Sequence, residues 1–286
     1  MAETPLDIEM SERKVIKGIG FNGLTQINVE FTSRCSKACW HCGRRERDRL
    51  YGTDDYGDMD IDLIRRIASQ VPEGIVIATH NNGESMLHPR FDEGVALFKE
   101  RGCFVYAVTN GKHLMEKFDQ IVNNLDVVSV SVIENDDETE KQCQFETLSE
   151  FLVAKGGRKP FVTLRFVGNI EDEERYAALG LTVVRRTLHQ PKGSVGYRKP
   201  ATIPECGVCW DFMTRLAIDR FGNVSCCVRF DPEGELRLGN LHDMTLEECW
   251  NSEKRIKMRE LHTSGKRKDI PYCGDKCEFW GVSTSD

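Results

Sequence analysis

No apolar run in this 286-residue chain approaches the roughly 18 residues a membrane-spanning helix needs. The opening Met1 to Asp7 is acidic and lacks the apolar core of a signal peptide. Lys and Arg number 39 against 46 Asp and Glu, a formal net charge of −7, so there is no surplus of positive charge for a phosphate backbone. No internal repeat of roughly 20 to 50 residues is present. These absences set aside a membrane protein, a secreted protein, a repeat array and a chain whose main partner is nucleic acid. The expectation is a cytoplasmic protein, long enough for a barrel-sized core or for one large domain and one small one. Cysteine, by contrast, is plentiful. Twelve thiols in a reducing compartment point to metal ligands rather than disulfides.

Three of the twelve stand in Cys35-Ser-Lys-Ala-Cys39-Trp-His-Cys42, spaced C-x3-C-x2-C. Gln26 to Phe31 just before them alternates polar and apolar side chains, as a half-buried strand does. The cysteines therefore occupy a loop leaving the C-terminal end of a strand. Thiolates are soft ligands, and three on one tight loop can hold three corners of an iron–sulfur cube. Such clusters usually take four ligands, so one iron would be left open. A structural zinc site using the Cys39/Cys42 pair with partners elsewhere stays open on these residues alone.

Six strand-then-helix units follow over residues 26–190. Strands are expected near 26–31, 74–79, 103–108, 127–133, 160–167 and 182–188. Helices are expected near 59–71, 91–101, 113–124, 139–154 and 172–179. Residues 44–56 read as a charged, turn-rich cover over the loop, and 1–22 as a mixed-charge arm. Such alternation implies parallel strands with right-handed crossovers. The fold class is α/β. A partial (β/α)6 TIM-like barrel over 23–190 has too few units to close, and a doubly wound sheet shares its periodicity. His189 to Pro200 reads as a Pro/Gly linker.

Composition changes beyond that linker. Residues 206–286 hold seven of the twelve cysteines. Thr214–Asp219 and Val224–Phe230 form an expected hairpin with Gly222 in its turn. Thr245-Leu-Glu-Glu248 is a capping-box pattern opening a helix to about His262. A small C-terminal α+β domain over 191–286 is expected. Cys226 and Cys227 are neighbours on a strand and face opposite ways. Cys226 shares a face with Val224 and Val228, which reads as core, whereas Cys227 shares one with Ser225. Cys103, Cys143 and Cys249 read as buried small hydrophobes.

The C-x3-C-x2-C loop, with Trp40 two residues before its last cysteine, resembles the signature of the radical S-adenosylmethionine (SAM) enzymes. Asn82-Gly83-Glu84-Ser85 with Leu87-His88-Pro89 resembles the family's Gly-Gly-Glu-Pro stretch, with Asn82 in place of Gly and Ser85 in place of Pro. Thr109-Asn110-Gly111 agrees as well. The resemblance covers roughly residues 24–190. It implies a 4Fe–4S cluster on Cys35, Cys39 and Cys42, with SAM chelating the open iron and cleaved to a 5′-deoxyadenosyl radical. It further implies Gly83 and Glu84 at the SAM amino group, Ser131 at the ribose and Arg165 at the carboxylate. A reducing partner such as flavodoxin or ferredoxin goes with that chemistry.

The C-terminal part resembles the Twitch domain, a shortened SPASM domain holding one auxiliary 4Fe–4S cluster. The implied ligands are Cys209, Cys227, Cys273 and Cys277, with Cys206 and Cys226 as alternates. In size and cysteine spacing the chain resembles the 2-deoxy-scyllo-inosamine dehydrogenases, radical SAM alcohol oxidases. The expected activity is oxidation of a small polar metabolite, the auxiliary cluster accepting an electron. A peptide-modifying enzyme and a non-catalytic metal scaffold are the alternatives; the first usually adds a leader-binding domain, for which residues 1–22 leave little room. No residue declares itself as the base that deprotonates a substrate radical. Arg186, His189 and Tyr197 qualify only by position.

Overall fold

The computed structural model describes residues 21–134, 136–186, 208–228, 231–271, 273 and 277. The strands are β1 (Gln26–Val29), β2 (Val76–Ala78), β3 (Phe104–Thr109), β4 (Val127–Ile133), β5 (Phe161–Val167) and β6 (Thr182–Arg186), then β7 (Arg215–Ile218), β8 (Asn223–Ser225) and β9 (Arg237–Asn240). The main helices are α1 (Arg44–Tyr51), α2 (Ile61–Gln70), α3 (Phe91–Glu100), α4 (Phe118–Asn124), α5 (Glu138–Lys155) and α6 (Glu173–Ala177), followed by α7 (Trp210–Thr214), α8 (Leu246–Trp250) and α9 (Glu253–Thr263).

The first six strands are all parallel and lie in the order β6-β5-β4-β3-β2-β1. Each strand is therefore laid beside its predecessor on the same edge. A doubly wound sheet would reverse direction part-way. The sequential order gives an open partial barrel instead, and decides between the two architectures that periodicity left open.

Alternation along the strands separates two faces. Ile27, Val29, Ile77, Val105, Val128, Val130, Leu164 and Phe166 are at most 2% exposed and pack in the core beneath the helices. Helix α2 shows how that layer is assembled. Asp60 caps it by accepting the Asp62 N–H at 2.7 Å, and Ile61, Leu63, Ile64, Ile67 and Ala68 form its buried stripe. Burying a side chain such as Leu or Ile contributes about 1.5–3 kcal/mol. The other face of the strands is mixed. Gln26 and Asn28 on β1, Ser129 and Ser131 on β4, and Thr163 and Arg165 on β5 lie on it, with Ala78, Tyr106 and Val108 of β2 and β3 between them; Ser129 pairs with Thr163 and Ser131 with Arg165. Where a closed barrel fills its interior with branched apolar side chains, this one leaves a trough whose β1 and β4–β5 parts are polar.

The C-terminal strands extend the same sheet. β7 pairs in parallel with β1 from Gln26↔Arg215 to Val29↔Ile218, and β8 and β9 continue outward antiparallel. The β7–β8 hairpin turns at Asp219–Gly222 as expected; Asp219 accepts the N–H groups of Phe221 and Asn223 at 2.9 Å. β8 ends at Ser225, earlier than the expected 230.

Other expectations change. Residues 44–51 form helix α1 rather than a turn-rich cover, although no residue of it is buried. The expected 113–124 helix is regular only from Phe118, and the 245–262 helix is two. Thr245 starts the first through a complete capping box, and Ser252 caps the second after a break at Asn251. Among the described residues no helix is long and apolar enough to cross a membrane.

Candidate functional site

β1 delivers the chain into the cysteine loop at one end of the sheet. The loop is tied down from several sides. Cys42 N–H donates to Cys39 O at 3.2 Å. Arg44 and Arg45 of α1 reach back to the carbonyls of Lys37 and Cys39 at 3.2 and 3.1 Å. Trp40 Nε1 donates to Glu134 O at 3.0 Å, just past β4. Lys37 is buried and ion-paired with Asp136. Cys35, Cys39 and Cys42 are each half-buried, and Cys39 and Cys42 feel the neighbouring thiols of the loop. Burial, ahead of every other cause, pushes the Cys39 thiol up to about 12 and raises Cys42 as well. Three half-buried thiols on one short loop form a donor set that metal cations would convert to thiolates. Among the described residues no three His, Cys, Asp or Glu side chains are drawn into a finished metal cage. The loop thus presents sulfur donors to an incoming group, and their softness fits an iron–sulfur cluster.

Gly83 packs against the start of that loop. Its φ is +78°, and an added Cβ would stand 2.3 Å from Thr32 O, so only glycine fits. Glu84 follows directly, its N–H donating to Arg34 O at 2.7 Å. The Glu84 side chain is 2% exposed. Its Oε2 accepts Thr109 Oγ1 at 3.0 Å and Asn110 N–H at 2.9 Å, while Oε1 is buried with no hydrogen-bond partner. Burial raises its carboxyl above the ordinary range against these hydrogen bonds. Asn110 closes the link by pointing its side-chain amide at Cys35 Sγ, 3.7 Å away. A carboxylate oxygen orphaned beside the thiol loop is what an ammonium group would satisfy, so the residues present fit SAM.

Ser131 and Arg165 are register partners across β4 and β5, with side chains on the polar trough. The Ser131 backbone is fixed by its carbonyl, which accepts Gln144 Nε2 at 2.9 Å. Sequence reasoning missed two neighbours of Arg165. His41, in the cysteine loop, and His80, just after β2, both feel the Arg165 charge. Burial, aided by nearby cations, lowers His41 to about 4 and His80 to about 3. Both rings are therefore neutral near pH 7, and each keeps a buried Nδ1 without a hydrogen-bond partner. No motif signals them; only the fold brings them to Arg165.

In the C-terminal part, Cys209 is the residue before α7, and Cys273 is 7% exposed. Burial pushes the Cys273 thiol up to about 12, with Cys277 and Cys209 as its next electrostatic neighbours. Cys226 is fully buried with Val224, as alternation implies; burial raises its thiol well above the ordinary value, with Cys273 beside it. Cys227 is half-buried and lines a cleft. These soft donors suit an iron–sulfur group. Cys206, His189 and Tyr197 lie outside the described residues, and Arg186 ends β6. Cys103 and Cys249 are buried as expected. Cys143 is not: it lies on the exposed face of α5, whose buried residues are Gln144, Leu148 and Phe151.

The cleft itself was not anticipated. With a volume of about 80 Å3, it is lined by Glu30, Arg47 and Asn82 from the barrel and by Asp219, Cys227 and Asp231 from the hairpin and the turn after it.

Residues 29–155 match the radical SAM superfamily, and residues 206–278 match the SPASM iron–sulfur cluster-binding domain. A curated relative, the tungsten-containing aldehyde ferredoxin oxidoreductase cofactor-modifying protein of Pyrococcus furiosus, is 33% identical over 110 residues. That match spans 37% of this chain and 29% of the relative. Among solved structures, BtrN in complex with AdoMet and 2-DOIA aligns with a TM-score of 0.63 at 18% identity, over 92% of this chain and 96% of that one. SuiB of Streptococcus suis bound to S-adenosylmethionine gives 0.63 at 13% identity, over 97% and 78%. At these identities the solved structures show a shared fold.

Proposed function

Since this chain carries a radical SAM domain and a SPASM iron–sulfur cluster-binding domain, we propose that it is a radical SAM enzyme that oxidises a small polar metabolite at a carbon bearing a hydroxyl or amino group. Its two domain types imply a 4Fe–4S cluster, SAM and an auxiliary iron–sulfur cluster. When bound, they supply a 5′-deoxyadenosyl radical that takes a hydrogen atom, and a second centre able to accept the electron left behind.

The chain's own residues have the following roles. Cys35, Cys39 and Cys42 hold the first cluster from one loop. Gly83 brings the backbone against that loop, and Glu84 Oε1 receives the SAM amino group. Arg165, a fork suited to carboxylates, and Ser131 flank the far side of SAM. Cys209, Cys227, Cys273 and Cys277 hold the auxiliary cluster. The neutral His41 and His80 leave the positive charge of Arg165 uncontested by imidazolium.

The observation that carries the oxidation reading is the cleft. One wall, Glu30 and Asn82, adjoins the cysteine loop and Gly83; the opposite wall includes Cys227. A substrate held there lies beside Cys227, with Glu30 and Asn82 leading from it toward the cysteine loop. Anaerobic, reduced holoenzyme given SAM and a metabolite extract should release 5′-deoxyadenosine and a product lighter by two hydrogens, read by mass spectrometry. A product at the substrate's oxidation level would sink the oxidation reading, and no 5′-deoxyadenosine would sink the radical SAM role. SuiB appears bound to its precursor peptide in another structure, and the same measurement with peptides added separates a peptide substrate from a metabolite.

A further inference from the structure

We propose that Glu30 and Arg47 together anchor a hydroxyl group of a small, neutral, polyhydroxylated substrate in the cleft between the barrel and the C-terminal hairpin. This deepens the proposed function and rests on it.

The geometry comes from two unfinished side chains. The Glu30 side chain is 1% exposed and that of Arg47 13%. Asn82 holds Glu30 from one side only: its N–H and Nδ2 both donate to Oε2, at 3.2 and 2.8 Å. Glu30 Oε1 is left buried with no hydrogen-bond partner. Arg47 uses Nη2 on Asp55 at 2.8 Å, and its Nη1 is likewise buried without one. The two orphan atoms face each other at 3.9 Å. That is an ion-pair distance but too long for a direct hydrogen bond. Both residues line the cleft.

A group that completes both atoms must donate to the carboxylate and accept from the guanidinium at once. A hydroxyl does this. An ammonium could satisfy Glu30 but would face the Arg47 charge, and a carboxylate would meet the converse conflict. The rest of the lining carries both signs. Asp219, near enough to Glu30 for its charge to be felt there, is engaged by Asn223 Nδ2 at 2.8 Å; Asp231 accepts Ser225 Oγ at 2.8 Å with its Oδ1 left unpartnered; and Arg237 stands among them, so no single charge dominates the cleft. Asn82 stands where the family resemblance expects glycine. Its amide occupies Oε2 and so leaves Oε1 as the free edge, which makes the anchor a property of this chain's own residues.

The test uses reconstituted, SAM-loaded holoenzyme under anaerobic conditions and saturation-transfer NMR with three six-carbon probes: D-sorbitol, 1,6-diaminohexane and adipate. Sorbitol should show transfer. Its apparent Kd should rise about tenfold in Glu30→Gln, the scale of losing a hydrogen bond to a charged group, and about threefold in Asn82→Gly. Asn82→Gly removes only a half-buried amide, so it decides the matter if Glu30→Gln fails to fold by circular dichroism. Transfer from the diamine or adipate alone, from no probe, or from sorbitol with unchanged affinity in a folded variant overturns the proposal. SAM cleavage by the wild-type protein is read in the same samples. Its absence sinks the proposed function, whereas cleavage without sorbitol binding sinks the Glu30–Arg47 anchor alone.

Discussion

Asn110 donates its backbone N–H to Glu84 at 2.9 Å and directs its side-chain amide to Cys35 Sγ at 3.7 Å. One residue therefore couples the buried carboxylate to the thiol loop. If Glu84 Oε1 receives the SAM amino group, Glu84→Gln replaces a charge-assisted contact with a neutral one. SAM affinity should fall about tenfold or more, while iron content stays at the wild-type level. Equilibrium dialysis with labelled SAM, beside an iron assay, checks both. Unchanged affinity would remove Glu84 from the SAM site.

Two groups of cysteines, one per matched domain, lead to an expected iron content of about eight per chain after anaerobic reconstitution. Replacing Cys35, Cys39 and Cys42 together with Ala should halve it and abolish SAM cleavage. Continued release of 5′-deoxyadenosine by the triple variant would show that the first cluster is held elsewhere.

Cys227→Ala should lose the second cluster, and Cys226→Ala should keep it. Cys227 is half-buried toward the cleft, whereas the Cys226 thiol is enclosed in the core and directed at Leu236 O, 3.5 Å away. Visible absorption and iron counts of the two variants decide. The opposite result assigns the ligand to the thiol beside Cys273.

Gly83→Ala should destabilise the fold by at least about 2 kcal/mol, from the left-handed backbone and the overlap with Thr32 O. Gly265, just past α9, has a similar φ of +75° with nothing near an added Cβ, so Gly265→Ala should cost about half as much or less. Urea midpoints measure the contrast. Equal losses would mean that the packing against the cysteine loop contributes nothing.

For a two-electron oxidation, each substrate consumed should use one SAM and yield one 5′-deoxyadenosine. Reductant should be needed only to start turnover. Regeneration of SAM, or a demand for stoichiometric reductant, would point to another outcome of hydrogen abstraction.

What the sequence reveals follows from range. Val127–Ile133 is a dense β-branched run, and the structure reproduces its bounds. The cysteine loop and Gly83-Glu84 are contiguous, so their chemistry is legible as spacing. Helix α1 is not legible: Arg44 to Tyr51 has no apolar stripe and buries no residue. It is held by polar and stacking contacts such as Arg49 on Glu46 and the Arg44 guanidinium over Tyr56 at 4.9 Å. β9 (Arg-Leu-Gly-Asn) carries one buried side chain and shows no alternating run long enough to read. The misplacement of Cys143 came from a tendency of cysteines in general, where its position on α5 decides. Glu30 with Asn82, and Arg165 with His41 and His80, meet only through sheet register, and a linear pattern carries no trace of that.

The parallel pairing of β7 with β1 has a mechanical consequence. β1 is an interior strand, bound on one edge to β2 and on the other to β7, and it runs straight into the cysteine loop. To swing the β7–β8 hairpin, and Cys227 just past it, away from that loop, the chain would have to break the four residue pairings of β1 with β7. Electron tunnelling falls off exponentially with distance, so a rigid spacing fixes its rate. Any charge passing between the two thiol groups would cross a gap set by sheet geometry, and its rate should be insensitive to solvent viscosity.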